Sequence, residues 1–204
     1  MIVRDAFPFL ITLALLAILA FVSGLIVPGA FVVLLFAFVA FFFRNPNRVI
    51  PSDPRVIVSP ADGKVVRLER AGQVTKMSIF LSLFNVHVNR SPIAGRIEAV
   101  DYRPGKFMVA FNDKASTDNE RNIVMVSNGH IRIVFTQIAG IVARRIVFWK
   151  RAGDTVGKGE LVGLIRFGSR VDVLFPAGTE ATVELGARAK GGSTPIGIIK
   201  ESNG

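Results

Sequence analysis

No cysteine occurs in the 204 residues. Its absence excludes disulfides, thiolate zinc sites and cysteine nucleophiles, and it leaves the redox compartment unread. Histidine is nearly as scarce. With only His87 and His130, a His-rich metal centre lacks ligands, and no metal is expected. A single Trp and a single Tyr offer few platforms for stacked bases, although Phe is plentiful. Acidic residues are outnumbered 15 to 25, which gives a formal net charge of +10. That balance attracts polyanions, either nucleic acid or an anionic membrane surface.

Charge is missing altogether from one long stretch, and this chooses between the two. Residues 7–43 read FPFLITLALLAILAFVSGLIVPGAFVVLLFAFVAFFF. About 20 apolar residues span a bilayer core as a helix, and this run is nearly twice as long. Gly24, Pro28 and Gly29 interrupt it. The pattern predicts two apolar helices, roughly 7–26 and 30–43, joined by a tight Val27-Pro28-Gly29 turn. The second is short for a full span, so a re-entrant or interfacial hairpin fits as well. Arg4 flanks one end, and Arg44 and Arg48 flank the other. A hairpin places both flanks on one side, which the positive-inside rule makes cytoplasmic. The expectation is a cell (inner) membrane protein with its second domain in the cytoplasm and no nucleic-acid partner. A cleaved signal peptide, with LAILA supplying small residues, is disfavoured because a second apolar run follows at once.

The boundary is FFFRNPNRVIPSDPR, where charge and three prolines arrive together and helix cannot continue. Residues 1–50 are therefore expected to form a membrane-associated hairpin and linker, and 51–204 a β-rich domain. From 55 to 186 the chain offers short runs rich in Val and Ile, bounded by Gly, Pro, Asn or Asp. Their spacing predicts a mainly β fold, a compact sandwich or barrel without long amphipathic helices. SNGH is a hairpin turn, with Asn128-Gly129 suited to type I′. VSPADGKVVRLE and RSPIAGRIEAVD are weak echoes of one another. RAGDTVGKGELVGLI carries the G-D-x-V-x-K-G-E turn of lipoyl- and biotinyl-type sandwiches without their modifiable lysine motif, so it reads as fold. ASTDNERN, residues 115–122, is either a solvated connection or one wall of a substrate cleft.

Candidate chemistry is sparse. His87 lies in an apolar, strand-like setting, where a lone histidine is more often a core residue. Asp62 in SPADGK has the look of an ordinary turn, His130 of an exposed hairpin residue, and Ser169 merely follows a glycine. Together Asp, His and Ser are the right types for a triad: the carboxylate orients the imidazole, which takes the hydroxyl proton. The G-x-S-x-G elbow of a hydrolase is absent, and Gly168-Ser169 suggests that the target is the preceding carbonyl of the same chain.

FFFRNPNRVIP, VSPADGKVV, SLFNVHVNRSPIAG, NERN and RFGSRVDVLFP follow in this order after an apolar hairpin. In that series the chain resembles the short form of the phosphatidylserine decarboxylase family over nearly its whole length. The FGS-strand and the N-V-H-V-N-R-S-P block are the specific parts. The resemblance implies a self-cleaving, pyruvoyl-dependent enzyme on a lipoyl-like hybrid sandwich. Ser169 would attack the Gly168 carbonyl and end as a pyruvoyl group that forms a Schiff base with the substrate amine. The products would be a β chain of 1–168 and an α chain of 169–204, held as a heterodimer or a dimer of these. Asp62 and His87 match the processing Asp and His. His87 is also the natural donor of a proton to the substrate Cα. Longer relatives carry a second histidine where this chain has Arg90, and Leu-Gly-Ser-Thr where it has Phe-Gly-Ser-Arg. Lys190-Gly-Gly-Ser-Thr194 mimics the cleavage motif but lacks the Arg-Phe lead-in and the V-x-V-x-F strand. The implied reaction converts phosphatidylserine to phosphatidylethanolamine at a membrane, with Arg44, Arg48 and Arg55 attracting anionic headgroups. Three other readings compete: a pyruvoyl decarboxylase of a soluble amino acid, a non-enzymatic membrane-anchored β-domain adaptor, and a lysostaphin-type peptidase. The last needs more zinc-binding histidines than the chain has.

Overall fold

The computed structural model describes residues 1–105, 119–140, 145–166 and 169–200. The chain divides into two units, Met1–Asn47 and Arg48–Gly204.

In the first unit a 3₁₀ turn, Arg4–Ala6, leads into α1 (Phe7–Val22), and α2 (Ile26–Phe42) packs beside it. The stretch Arg4–Val22 has a mean hydropathy of 2.3 and is long enough to cross a membrane by length and composition, whereas α2 is shorter. The turn between the helices lies at Ser23–Leu25, not at the expected Val27-Pro28-Gly29. Gly24 takes φ +73, which ends α1 without strain. Pro28 falls in the first turn of α2, where its missing N–H would have had no partner anyway. Gly29 serves packing: a Cβ there would stand 2.8 Å from the Phe21 ring. Phe9 stacks on Phe43 at 6.0 Å, and the Asn45 amide donates to the Met1 carbonyl, so the open ends of the hairpin are joined.

The second unit is built of antiparallel strands, and among its described residues there is no α-helix. In chain order the strands are β1 (Val56–Val58), β2 (Gly63–Ala71), β3 (Val74–Leu81), β4 (Val88–Arg90), β5 (Gly95–Arg103), β6 (Arg121–Ser127) and β7 (Arg132–Ala139). Then come β8 (Ile146–Phe148), β9 (Thr155–Val156), β10 (Leu161–Ile165), β11 (Ser169–Phe175), β12 (Thr179–Ala181), β13 (Arg188–Ala189) and β14 (Pro195–Ile199). The main sheet has the order β13-β2-β3-β11-β7-β6-β5-β9. Two smaller sheets run β1-β14-β12 and β4-β10-β8. One core joins all three sheets: Ile79, Phe135 and Val171 of the main sheet share it with Ile57 and Ile196 of one small sheet and Val162 and Ile165 of the other. The chain thus has the mainly β, sandwich-like class that its alternation predicts.

The two echoed segments form one pair of crossed corners. The Val58 amide donates to Pro92 O (3.0 Å), and the Arg90 amide to Pro60 O (2.9 Å). Within each corner a buried serine hydroxyl reaches two residues ahead, Ser59 to Ala61 O and Ser91 to Ile93 O, both at 2.7 Å. Each serine carbonyl accepts a glycine amide at 2.8 Å, Gly192 onto Ser59 and Gly159 onto Ser91. Each serine amide donates onward, to Thr194 O or Glu160 O. The strand order repeats the relation, with β13-β2-β3-β11 mirrored by β9-β5-β6-β7. The unit is a doubled motif, and GKGELVGLI and GGSTPIGII are its second pair of echoes.

The β6–β7 hairpin turns differently from the expected type I′ pair. Gly129 (φ +89) and His130 sit at its tip, and the Asn128 side chain accepts the amides of His130 (3.0 Å) and Ile131 (2.9 Å). An Asx-type closure moves the turn one residue along. Lys158, in the lipoyl-like turn, donates to Asp53 O, so it braces the fold.

Candidate active site

Ser169 opens β11, the strand held between β3 and β7, and it pairs with Leu81 and Ala139. The alternation of β11 turns Ser169, Val171 and Val173 to the core. Arg170 and Asp172 on the other face are buried around an ion pair at 3.0 Å, with Lys76 at 3.3 Å from Asp172. The Ser169 hydroxyl is fully buried and finds no hydrogen-bond partner among the described residues. Such an atom costs about 1–3 kcal/mol when left unsatisfied, so its placement is informative. Gly168, the other half of the expected scissile bond, and Phe167 lie outside the described residues.

His87 reaches the same end of the unit by a parallel route. The segment from Leu81 to His87 and the segment from Ile165 to Ser169 are paired at both ends: Leu81 with Ser169, and His87 O with the Ile165 amide (3.2 Å). His87 is buried, and its Nδ1 lies 3.0 Å from Asn85 O. When Nδ1 carries the proton it donates to that carbonyl, and Nε2 is then the basic nitrogen. His130 is exposed at the distant hairpin tip.

Asp62 precedes β2. Lys64, Phe80 and Arg170 share a row across β2, β3 and β11. Asp62 and Ser169 therefore stand at the same end of the sheet, two strand spacings or roughly 10 Å apart. Arg48 Nη2 donates to both carboxylate oxygens of Asp62 at 2.8 and 2.7 Å, and the Gly191 amide adds a third bond at 2.8 Å. Arg90 faces this pair. Burial first, and the Arg48 charge second, push its guanidinium below its ordinary value, while Asp62 opposes them. Its Nη1 donates to Gly159 O at 2.8 Å. The structure thus gathers Asp62 with Arg48 and Arg90, and His87 with the approach to Ser169. Of the other boundary arginines, Arg44 lies over the Phe41 ring and Arg55 is paired with Asp53.

The mimic at 190–194 is a closed turn. Ser193 N and Thr194 N donate to Lys190 O, Gly192 takes φ +79, and the Gly191 amide holds Asp62. It serves the site as scaffold.

Sequence reasoning missed a chain of buried amides. Asn122 Nδ2 donates to Gln137 Oε1 (3.0 Å), Gln137 Nε2 to Asn89 Oδ1 (2.9 Å), and Asn89 Nδ2 reaches Pro60 O at 3.5 Å. Asn119 donates to Ala139 O, beside Ser169, and Glu120 accepts the Ile146 amide. Within NERN, Asn119, Glu120 and Asn122 are buried and act as internal bracing, while the half-buried Arg121 lines a small cleft with Lys76, Arg103 and Asp172. Residues 115–118 of its loop lie outside the described residues. The signal was present, since NVHVNR and NERN place amides inside apolar strands. Their partners were not readable.

These features have close counterparts. The family model described as phosphatidylserine decarboxylase matches residues 35–197. A protein of Solibacter usitatus (strain Ellin6076) named phosphatidylserine decarboxylase proenzyme is 52% identical over 186 residues, covering 90% of this chain and 91% of its own length. Proteins with the same name from Carboxydothermus hydrogenoformans and Desulfotalea psychrophila are 45% and 41% identical. Their alignments cover 97% and 96% of this chain, and 96% and 95% of theirs. With the buried Ser169, His87 and Asp62 at one end of a β unit, and with likeness at this level over almost its entire length, the chain belongs to the phosphatidylserine decarboxylase family, and it is an enzyme of that decarboxylase class.

Proposed function

We propose that this chain decarboxylates phosphatidylserine to phosphatidylethanolamine with a pyruvoyl group made from its own Ser169. The observation that carries the reading is the fully buried, unpartnered Ser169 hydroxyl at the head of a central strand. A buried hydroxyl is poor for attacking an outside substrate, whereas the carbonyl one residue behind it is tethered to it by the chain. Oγ adds to the Gly168 carbonyl carbon as its proton passes to a base. The C–N bond breaks, the nitrogen takes a proton, and an ester links the two residues. Loss of the Ser169 Cα proton breaks the Cβ–O bond and frees Gly168 as a carboxylate. Water then replaces the nitrogen of the dehydroalanine as ammonia, leaving a pyruvoyl end on residue 169.

His87 is the base that its position favours, and later the proton donor to the substrate Cα. Asp62, fixed by Arg48 and Gly191, supplies a carboxylate between two guanidinium groups. The pyruvoyl carbonyl is the electron sink for the pair left on Cα when carbon dioxide departs. The β chain (1–168) and α chain (169–204) stay together as a heterodimer because β11 lies between β3 and β7, and β14 pairs with β1. The apolar hairpin and the arginines that flank it support a location at the cell (inner) membrane, with the β unit on the cytoplasmic side.

An intact-mass measurement of wild type beside Ser169→Ala tests this. Two chains in the wild type, the smaller beginning at residue 169 with a blocked end, and one chain in the variant are expected. A single full-length chain in the wild type sinks the reading and favours a membrane-anchored adaptor. Cleaved protein active on free serine but not on lipid would favour a soluble amino-acid substrate.

A further inference from the structure

We propose that the Leu83–Phe84 turn is a membrane-dipping tip, through which the Ser169 end of the β unit engages an anionic bilayer face. The turn joins β3 to the His87 segment. Leu83 is 38% exposed and Phe84 73% exposed, although the strand that leads into the turn buries Met77, Ile79 and Leu81 completely. Two adjacent apolar side chains this exposed at a tight turn offer apolar area to a lipid surface.

The turn is built to hold them outward. The Asn85 side chain accepts from both the Ser82 amide (2.8 Å) and the Ser82 hydroxyl (2.7 Å), and the Asn85 amide closes onto Ser82 O (3.0 Å). The same residue's carbonyl lies 3.0 Å from His87 Nδ1. The tip begins two residues beyond the Leu81–Ser169 pair, so it stands within about 10 Å of that pair along the chain.

Charge favours a bilayer over an apolar protein partner. Arg145 and Arg166 are joined by a backbone bond next to the Ile165–His87 contact, and Arg145 is exposed. An apolar turn whose segment is bonded through His87 to a strand end carrying the exposed Arg145 matches the boundary between acyl chains and anionic headgroups. The chain also carries a helix of membrane-crossing length. The inference rests on the proposed phosphatidylserine reading for the identity of the substrate, but not for the contact itself.

Two measurements on the full chain in phosphatidylcholine–phosphatidylglycerol vesicles test it. The first uses Phe84→Trp in a Trp149→Phe background, which leaves position 84 as the only tryptophan. Brominated acyl chains are expected to halve its emission or more, and to leave a His130→Trp control nearly unchanged. The second compares Leu83→Ser/Phe84→Ser with wild type. Turnover of phosphatidylserine in vesicles should fall at least tenfold, turnover of monomeric dihexanoyl phosphatidylserine should change less than twofold, and self-cleavage should be complete. Unquenched emission at position 84 overturns the proposal, and so does an equal loss on both substrates. A double variant that weakens self-association in detergent while position 84 stays unquenched assigns the tip to a second copy of the chain instead. Wild type that makes no phosphatidylethanolamine but shows quenching at position 84 would sink the decarboxylase reading and leave the membrane tip standing.

Discussion

The corner at Ser59–Gly63 and the corner at Ser91–Gly95 have the same backbone and different chemistry. Each has a buried serine hydroxyl bonded two residues ahead, a glycine amide on the serine carbonyl, and a strand leaving in the main sheet. At the position before the glycine, one has Asp62 and the other Ala94. Only the first is met by a guanidinium, from Arg48, and by a second amide, from Gly191. A doubled scaffold thus supplies two equivalent frames, and one is fitted with charge. This also explains the misleading Gly192-Ser193 pair: Gly192 and Thr194 are the counterparts of Gly159 and Glu160, and Ser193 lies between them in the frame.

The largest expected difference lies between the two glycine–serine pairs, one at the head of β11 and one in the frame. Ser169→Ala should abolish cleavage, and Ser193→Ala should leave it within about twofold; loss of cleavage in the second would move Ser193 from scaffold to chemistry. Next in size is the charge in the first corner. Arg48→Met leaves a nearly buried Asp62 without its partner, at a cost of about 3–5 kcal/mol. Denaturant unfolding should read that loss, with slowed self-cleavage alongside it, and an unchanged midpoint would refute the pairing.

The glycines of the two frames make a matched set. Gly159 (φ +75) and Gly192 (φ +79) both occupy the left-handed region, so alanine should cost about 1–2 kcal/mol at either. The new Cβ would meet Ile50 at position 159 but Arg90 at position 192. Only Gly192→Ala should therefore also slow cleavage. If both variants slow it alike, Arg90 has no special place. Ser59→Ala and Ser91→Ala each remove one short buried hydroxyl bond, worth about 1 kcal/mol, and Ser59→Ala also loses the long contact from the Ala61 amide (3.4 Å), so similar shifts in Tm are expected, with that at Ser59 no smaller.

The smallest effect concerns Glu160, which has no acidic counterpart in the other frame. The Lys150 ammonium first, and the Gly157 amide second, lower its pKa from the ordinary 4.5. A lowered folded value stabilises above the unfolded pKa and is lost as pH falls through the folded one. Glu160→Gln should thus be less stable than wild type by under about 1 kcal/mol near neutrality, because solvent reaches both half-buried partners. The gap should close on acidification below about pH 4.5; a gap that widens would contradict the assignment.

Much of this was legible locally. Charge-free helices, proline at the boundary, period-two runs and the S-P-x-x-G echo are short-range patterns that backbone physics turns directly into elements. The helix turn was misplaced because Pro28 also suits the first turn of a helix, and Gly29 was needed for packing against Phe21. The hairpin tip slipped by one residue because the Asn128 side chain outcompeted a backbone-only turn.

The sequence alone determined which residue types were available for chemistry: two histidines, no cysteine, and a serine at the head of an alternating strand. Only the tertiary structure decided their company. Arg48 meets Asp62 across 14 residues, and Gly191 meets it across 129. Asn89 joins Gln137 across 48, and Arg90 joins Gly159 across 69. Such partners are set by how sheets cross and which polar groups must be satisfied once water is gone, and no local pattern in the chain encodes that.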